Sequence, residues 1–287
     1  MGFSVNTNVS ALNTFRNLTN TQNSQSKSLE KLSSGLRINR AADDAAGLSI
    51  AEGLKAQVNG YSVAARNAQD GISVVQAAEG ALGEAQSILQ RMRDLAVQAS
   101  SDTNNADART AISSELDELA NELNRVVDST NFNGINLLTD TAADLTVQVS
   151  AEGAGSGNTI TIALAANNLQ DIIKDTVYDD AGGAGGTALN VVDATNARTS
   201  IETIDTALKA VSTARSNFGA TQNRLEYAIS NINVAAENLT SAESRIRDVD
   251  MAKEMMNYSR TNILSQAGTA MLAQANQSNA GVLQLLG

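Results

Sequence analysis

Seven consecutive heptads run through the second half of this chain, and the chain has no proline to interrupt them. Ile204, Val211, Phe218, Leu225, Ile232, Leu239 and Ile246 fall seven residues apart. Ala207, Ala214, Thr221, Ala228, Ala235, Ala242 and Val249 hold the row three residues further on. A large row beside a small row is the pattern of helices that interlock side chain into gap. A helix from Ile201 to Val249 would run about 74 Å at about 1.5 Å per residue. Such a helix needs partners of matching length, so the heptads demand a long bundle and not a short globule.

Partners of that kind stand in the first half. Ala68, Val75, Leu82, Leu89 and Ala96 repeat by seven, with Ala78, Ala85, Met92 and Ala99 in the second row. Ile112, Leu116, Leu119, Leu123 and Val126 form a further 4-3-4-3 stripe. The polar run Ser100-Ser101-Asp102-Thr103-Asn104-Asn105 separates the two, and Phe132-Asn133-Gly134 signals a turn after the second. The predicted fold is mainly α: three long antiparallel helices, two from the first half and one from the second.

The two chain ends differ from this bundle. Thr261 to Gly287 carry no Asp, Glu, Lys or Arg, and neither do Met1 to Phe15. Soluble surfaces are normally studded with charge, so both ends read as surfaces meant for burial. Phe15, Leu18, Gln22, Gln25, Leu29, Leu32 and Leu36 keep 3-4 spacing, while Val249, Met256, Ile263 and Ala270 carry the later heptad onward. Gln and Ala dilute both rows, so each helix alone is marginal. The two ends are expected to pair with each other and to become buried when many copies assemble. Leu29, Leu32, Leu36, Met256, Ile263, Ala270 and Leu272 are the expected core of that terminal assembly.

Between the halves, Leu145–Val149 and Thr159–Leu164 alternate like strands, with Gly153, Gly155 and Gly157 between them, and predict a β-hairpin. Gly182-Gly183-Ala184-Gly185-Gly186 reads as a linker, because no phosphate-loop Lys follows. The expected organisation is residues 1–43 and 247–287 as the two halves of a terminal coiled coil. Residues 44–140 and 195–246 supply the bundle, and 141–194 the hairpin region.

Chemistry finds little foothold. The chain lacks His and Cys, which removes the commonest general base, thiolate chemistry and disulfides. Asp43-Asp44 and Asp179-Asp180 lack calcium-loop spacing. Met251, Met255 and Met256 read as core filler. No enzyme activity, cofactor or metal is expected. A net charge of −11 argues against nucleic acid. No apolar run approaches the ~18 residues of a membrane span, and the first residues lack a secretory signal pattern.

The ordered motifs resemble those of bacterial flagellins. EKLSSGLRINRAADDAAGLSIAEGL spans Glu30 to Leu54, QDGISVVQAAEGAL spans Gln69 to Leu82, and LQRMRDLAVQAS spans Leu89 to Ser100. NFNGINLL closes the first half at Leu138. FGATQNRLEYAISNI begins at Phe218, NLTSAESRIRDVDMA at Asn238 and ILSQAGTAMLAQANQ at Ile263. The resemblance covers roughly residues 1–140 and 195–287. It implies a secreted subunit that polymerises into the extracellular flagellar filament, with almost none of the variable outer insertion. Implied partners are further copies of the chain, the hook-associated junction and cap proteins, the type III export apparatus and an export chaperone at the C-terminal segment. Host flagellin receptors are implied at Gln90, Arg91, Arg93, Leu95, Gln98 and Glu115, where the same residues also suit contacts between protofilaments.

Two other readings compete. A hook–filament junction protein shares the terminal pattern, although SRIRDVDMA and AQANQ look more like a filament subunit. A finite coiled-coil binding or adhesive module would instead have ordered ends and a closed oligomer.

Overall fold

A computed structural model describes residues 7–153, 155, 157–177 and 189–286, without the side chains of residues 175, 176 and 278–286. The linker glycines and Asp179-Asp180 lie outside the described residues. Helices α1 (Val9–Ser34), α2 (Ala45–Ala99) and α3 (Ala106–Ser129) come first. Short strands follow as β1 (Asn131–Phe132), β2 (Ile135–Asn136), β3 (Leu145–Gln148) and β4 (Thr159–Ile162). Helices α4 (Leu169–Thr176), α5 (Ala194–Arg247) and α6 (Met251–Leu286) complete the chain. Two compact units result: Met1–Ala56 with Glu237–Gly287, and Gln57–Ala236.

The Gln57–Ala236 unit is the heptad bundle. On α2 both expected rows are sealed: Ala68, Val75, Ala78, Leu82, Ala85, Leu89, Met92, Ala96 and Ala99 are fully buried. On α5, Ile204, Ala207, Val211, Ala214, Phe218, Leu225 and Ile232 are buried in the same cluster. The α3 stripe is turned slightly from the expected one. Ala120 and Val127 are buried in place of Leu119 and Val126, which are half-buried. A straight helix drifts against a seven-residue repeat, and here the drift moves the seam by one residue.

The α2–α3 break falls in the expected polar run. The Asn105 carboxamide oxygen accepts from the Ala108 amide at 2.8 Å and caps α3. Asn133 and Gly134 both take positive φ, 51° and 80°, the conformation of a two-residue hairpin turn between β1 and β2. Strands β3 and β4 pair antiparallel, Leu145 opposite Ile162. They approach α2 where it has glycines: a Cβ at Gly60 would lie 2.7 Å from that of Ala151. One at Gly71 would lie 3.0 Å from Val147.

Helix α4 was not anticipated within 141–194. The Asn168 side chain caps it by accepting from the Asp171 amide at 2.8 Å, and Leu169, Ile173 and Val177 enter the core. Its signal, a cap followed by apolar residues at i, i+4 and i+8, is too short to separate from loop by periodicity.

The other unit holds α1 and α6 together with the adjoining ends of α2 and α5. Helix α5 stops at Arg247, so the heptad does not continue unbroken through Val249. Gly35, with φ of 72°, ends α1 at the same place. The two breaks are stitched by backbone: the Arg37 amide donates to the Arg247 carbonyl at 2.6 Å, and the Val249 amide to that of Gly35 at 3.0 Å. Arg247, largely buried, donates to Glu52 at 2.9 Å. Ile38 is buried there, and a Cβ on Gly47 would strike it at 2.7 Å. Asp43 accepts from the Arg40 and Asn39 amides, which hold its carboxyl below its ordinary pKa.

The terminal helices meet along an inner row of small and polar residues. On α1 the covered positions are Ala11, Thr14, Leu18, Thr21, Gln25, Ser28 and Leu32, and on α6 Tyr258, Thr261, Ser265, Gly268, Leu272 and Ala275. The Asn8 side chain donates to the Ala275 carbonyl at 2.9 Å. Leu18 packs onto Gly268, where an added Cβ would stand 3.7 Å from that of Leu18.

Two outcomes follow from this packing. Phe218 is 1% exposed, so Phe218→Ala should cost the bundle about 3–5 kcal/mol. Urea unfolding followed by circular dichroism measures it, and an unmoved midpoint would remove Phe218 from the core. The Leu18 to Gly268 spacing lies within the ~3.5–4.5 Å that Cβ atoms of a disulfide require. The chain has no cysteine of its own, so a Leu18→Cys, Gly268→Cys variant should close one intramolecular disulfide under mild oxidant. Reduced and oxidised samples on a denaturing gel report it. Failure to close would mean that the terminal helices pair in another register.

Candidate assembly surface

Pairing of α1 with α6 covers a row of mostly small and polar residues with a few leucines, and leaves many large apolar residues outside. On α1, Val9, Leu12, Phe15 and Leu29 are exposed, Phe15 by 58%. On α6, Met251, Met255, Met256, Ile263, Leu264 and Met271 are exposed, Ile263 by 66%. A soluble helix ordinarily turns its apolar stripe inward. Here large apolar residues stay outside on both helices, and exposed apolar surface of this kind marks an interaction surface.

The residues read from sequence as a terminal core therefore divide. Leu32, Leu36 and Leu272 are half-buried within the chain. Leu29, Met256, Ile263 and Ala270 face outward. The reading of Met251, Met255 and Met256 as core filler is corrected, because the small inner row takes the contact with α1 and leaves them on the surface. A groove of about 490 Å³ runs along the outer face of α6, lined by Met255, Met256, Ser259, Arg260, Ile263 and Leu264. Sequence reasoning missed Leu264, Met271 and Leu12. Their signal was the absence of charge around them, which marks a segment and not a face.

Two members of the expected bundle core also lie elsewhere. Leu239 and Ile246 are half-buried and belong to the unit that contains the terminal helices. The other five, from Ile204 to Ile232, are sealed in the bundle.

The stretch from Gln90 to Gln98 sits on α2 within the bundle unit. Gln90, Arg91 and Gln98 are exposed. Arg91 donates to the Glu115 carboxylate on α3 at 2.6 Å, so these two come together across the helices. Arg93 turns to α5 instead and donates to Asp205 at 2.7 Å. That bonded carboxylate raises the guanidinium pKa. Leu95 is 2% exposed. Its side chain is spent on the core, so the surface here is Gln90, Arg91, Gln98 and Glu115 around a buried Leu95. The ion pairs are solvated and add at most about 1 kcal/mol each to stability.

Among the described residues no helix is long and apolar enough to cross a membrane. No group of three or more Asp and Glu is arranged to hold a metal ion among them.

Comparison with known proteins agrees with this architecture. Residues 5–143 match the bacterial flagellin N-terminal helical region, and residues 201–286 match the bacterial flagellin C-terminal helical region. The chain is 52% identical to a flagellin of Halalkalibacterium halodurans over 98% of its own length and 99% of the relative. It is 44% identical to a flagellin of Bacillus subtilis over the same shares. The crystal structure of Bacillus cereus flagellin is similar with a TM-score of 0.50 at 31% identity, covering 62% of this chain and 94% of that one. A putative flagellar hook-associated protein from Vibrio parahaemolyticus gives a TM-score of 0.55 at 14% identity, a likeness of fold alone. With both helical regions present in order and close relatives matched nearly end to end, the chain belongs to the bacterial flagellin family.

Proposed function

We propose that this chain is the structural subunit of a bacterial flagellar filament and self-assembles into it as a helical homopolymer for motility. The observation that carries the proposal is the set of exposed apolar residues on α1 and α6, whose outer stretches, up to Phe15 and from Thr261, carry no charge, in a chain of the flagellin family. One copy leaves that set in water. Neighbouring copies cover it, and a contact made between unlike faces repeats without closing.

In this reading residues 1–43 and 247–287 line the inside of the filament. Residues 44–140 and 195–246 form the layer around them, and 141–194 the hairpin region. The subunit works outside the cell. It arrives through the flagellar export apparatus, escorted by a chaperone at its C-terminal segment, and meets the hook-associated junction proteins and the cap at the two filament ends. Support for these partners is the family membership together with the free apolar face of α6. Gln90, Arg91, Gln98 and Glu115, with the α2 surface around Leu95 and Arg93, are the surface offered to neighbouring protofilaments or to host flagellin receptors. Its support is the exposed Arg91–Glu115 pair.

Ile263 supplies the test. It is exposed in the chain and lies where neither uncharged end offers a carboxylate. A lysine there is tolerated by the single chain, but burying it unpaired costs several kcal/mol, about 3 or more, in every copy. Ile263→Lys should keep the monomer's helical content and abolish elongation from filament seeds, watched by light scattering and electron microscopy. Elongation at the parent rate would overturn burial of the α6 outer face in the polymer.

A further inference from the structure

The methionines of this chain are not spread evenly. After Met1, Met92 is sealed in the bundle, and the other four lie on α6. Met251, Met255, Met256 and Met271 are 47–64% exposed. Met255 and Met256 wall the groove on the outer face, and Met271 lies in the stretch without charge. Cysteine, the usual thiol target of oxidants, is absent. Among the described residues, these four thioethers are therefore the soft, accessible sulfur.

We propose that Met251, Met255, Met256 and Met271 form an oxidation site whose state decides whether a free subunit can join a filament. The inference rests on the reading above that this face of α6 is buried between copies. The oxidant is a peroxide. The thioether sulfur attacks one peroxide oxygen, the O–O bond breaks, and the sulfur gains that oxygen as a sulfoxide. The other oxygen leaves as water after proton transfer, with two electrons passing from sulfur to peroxide. No charge is created and the helix backbone is untouched. The change is local: a flexible apolar side chain becomes polar, with a strong acceptor oxygen.

That acceptor is harmless in water and costly when it is taken out of water among Ile263, Leu264 and the apolar atoms of a neighbouring copy. Ser259 and Arg260 line the same groove. Met271 lies where no charged donor exists in its own segment. Assembly in turn shields the sulfurs, so oxidation acts on free subunits and spares the filament. A sulfoxide is reducible, so the block is reversible.

Free subunits exposed to hydrogen peroxide, then freed of it, are mapped by peptide mass spectrometry and added to unoxidised seeds. The expected result is sulfoxide at the four α6 positions, sparing of Met92, and elongation slowed about ten-fold or more. Treatment with methionine sulfoxide reductases, one for each epimer, should restore the rate. A variant with Met251, Met255, Met256 and Met271 all changed to Leu is compared only with itself. Its ratio of treated to untreated rates should stay near one. Undiminished elongation by oxidised parent subunits overturns the proposal, as does an equal loss in the Leu variant or no recovery on reduction. Assembled filaments are oxidised in parallel. Equal oxidation of filament and free subunit overturns burial of the α6 face, whereas protected filaments with unimpaired oxidised subunits overturn the switch alone.

Discussion

Everything in the bundle depends on one contact, the seam in which small residues of one helix let large residues of another come close. Ala207 and Ala214 alternate with Ile204, Val211 and Phe218 on α5, and Ala78, Ala85 and Ala96 alternate with Leu82 and Leu89 on α2. The chain has no disulfide, no described metal site and few aromatics, so this seam must offset the conformational entropy of the helices in the bundle. It does so by repetition. From Ile204 to Ile232 each heptad of α5 buries one large residue, with a small one beside it buried or half-buried, and the contributions add along the axis. Hairpin β3–β4 and α4 pack on the same cluster through Ile160, Ile162, Leu169 and Ile173 and extend it.

The terminal pair is built on the opposite principle. Its inner row has Thr14, Thr21 and Ser28 facing Thr261, Ser265 and Gly268, side chains that release little apolar area when covered. Leu18, Leu32 and Leu272 are covered with them, while Phe15, Leu29, Met256 and Ile263 stay exposed. Register in such a pair is weakly specified by the pair itself, since one small polar residue replaces another at little cost. The fixed points are Leu18 on Gly268 midway along the pair, and the joint where Leu36 bridges Asp248 and Arg247 meets Glu52. The joint sets where the terminal helices begin, and the outer face awaits atoms from elsewhere.

That contrast explains what could be read before the structure. The α2 and α5 rows were legible because a buried seam repeats by seven and admits one side. The hairpin was legible from alternation, the Asn133-Gly134 turn from its residues, and pairing of the two ends from their shared lack of charge. The face used in that pairing was not legible. Phe15 and Leu29 share a 3-4 row with Leu18 and Leu32, yet the chain covers only the second pair. A hydrophobic pattern names apolar positions without saying whether the same chain or another covers them. Leu95 posed the same problem inversely: a position expected on a recognition surface is buried in the core beside the heptad rows. The joint was hidden too, since the two-residue bridge at Leu36 and Asp248 leaves no periodicity.

Separation of polar inside from apolar outside has a consequence for order of events. If α1 and α6 buried Phe15, Leu29, Ile263 and Met256 against each other, one copy would satisfy itself and nothing would drive addition to a polymer. A weak inner seam avoids this. Its own contacts are nearly neutral, so the free energy of covering apolar surface is released only when further copies arrive. The cost is exposure of soft, apolar side chains for as long as a subunit is free. Under the proposed burial of this face, lack of charge in the last 27 residues suits assembly, since a lysine or glutamate buried there would have no partner from either uncharged end.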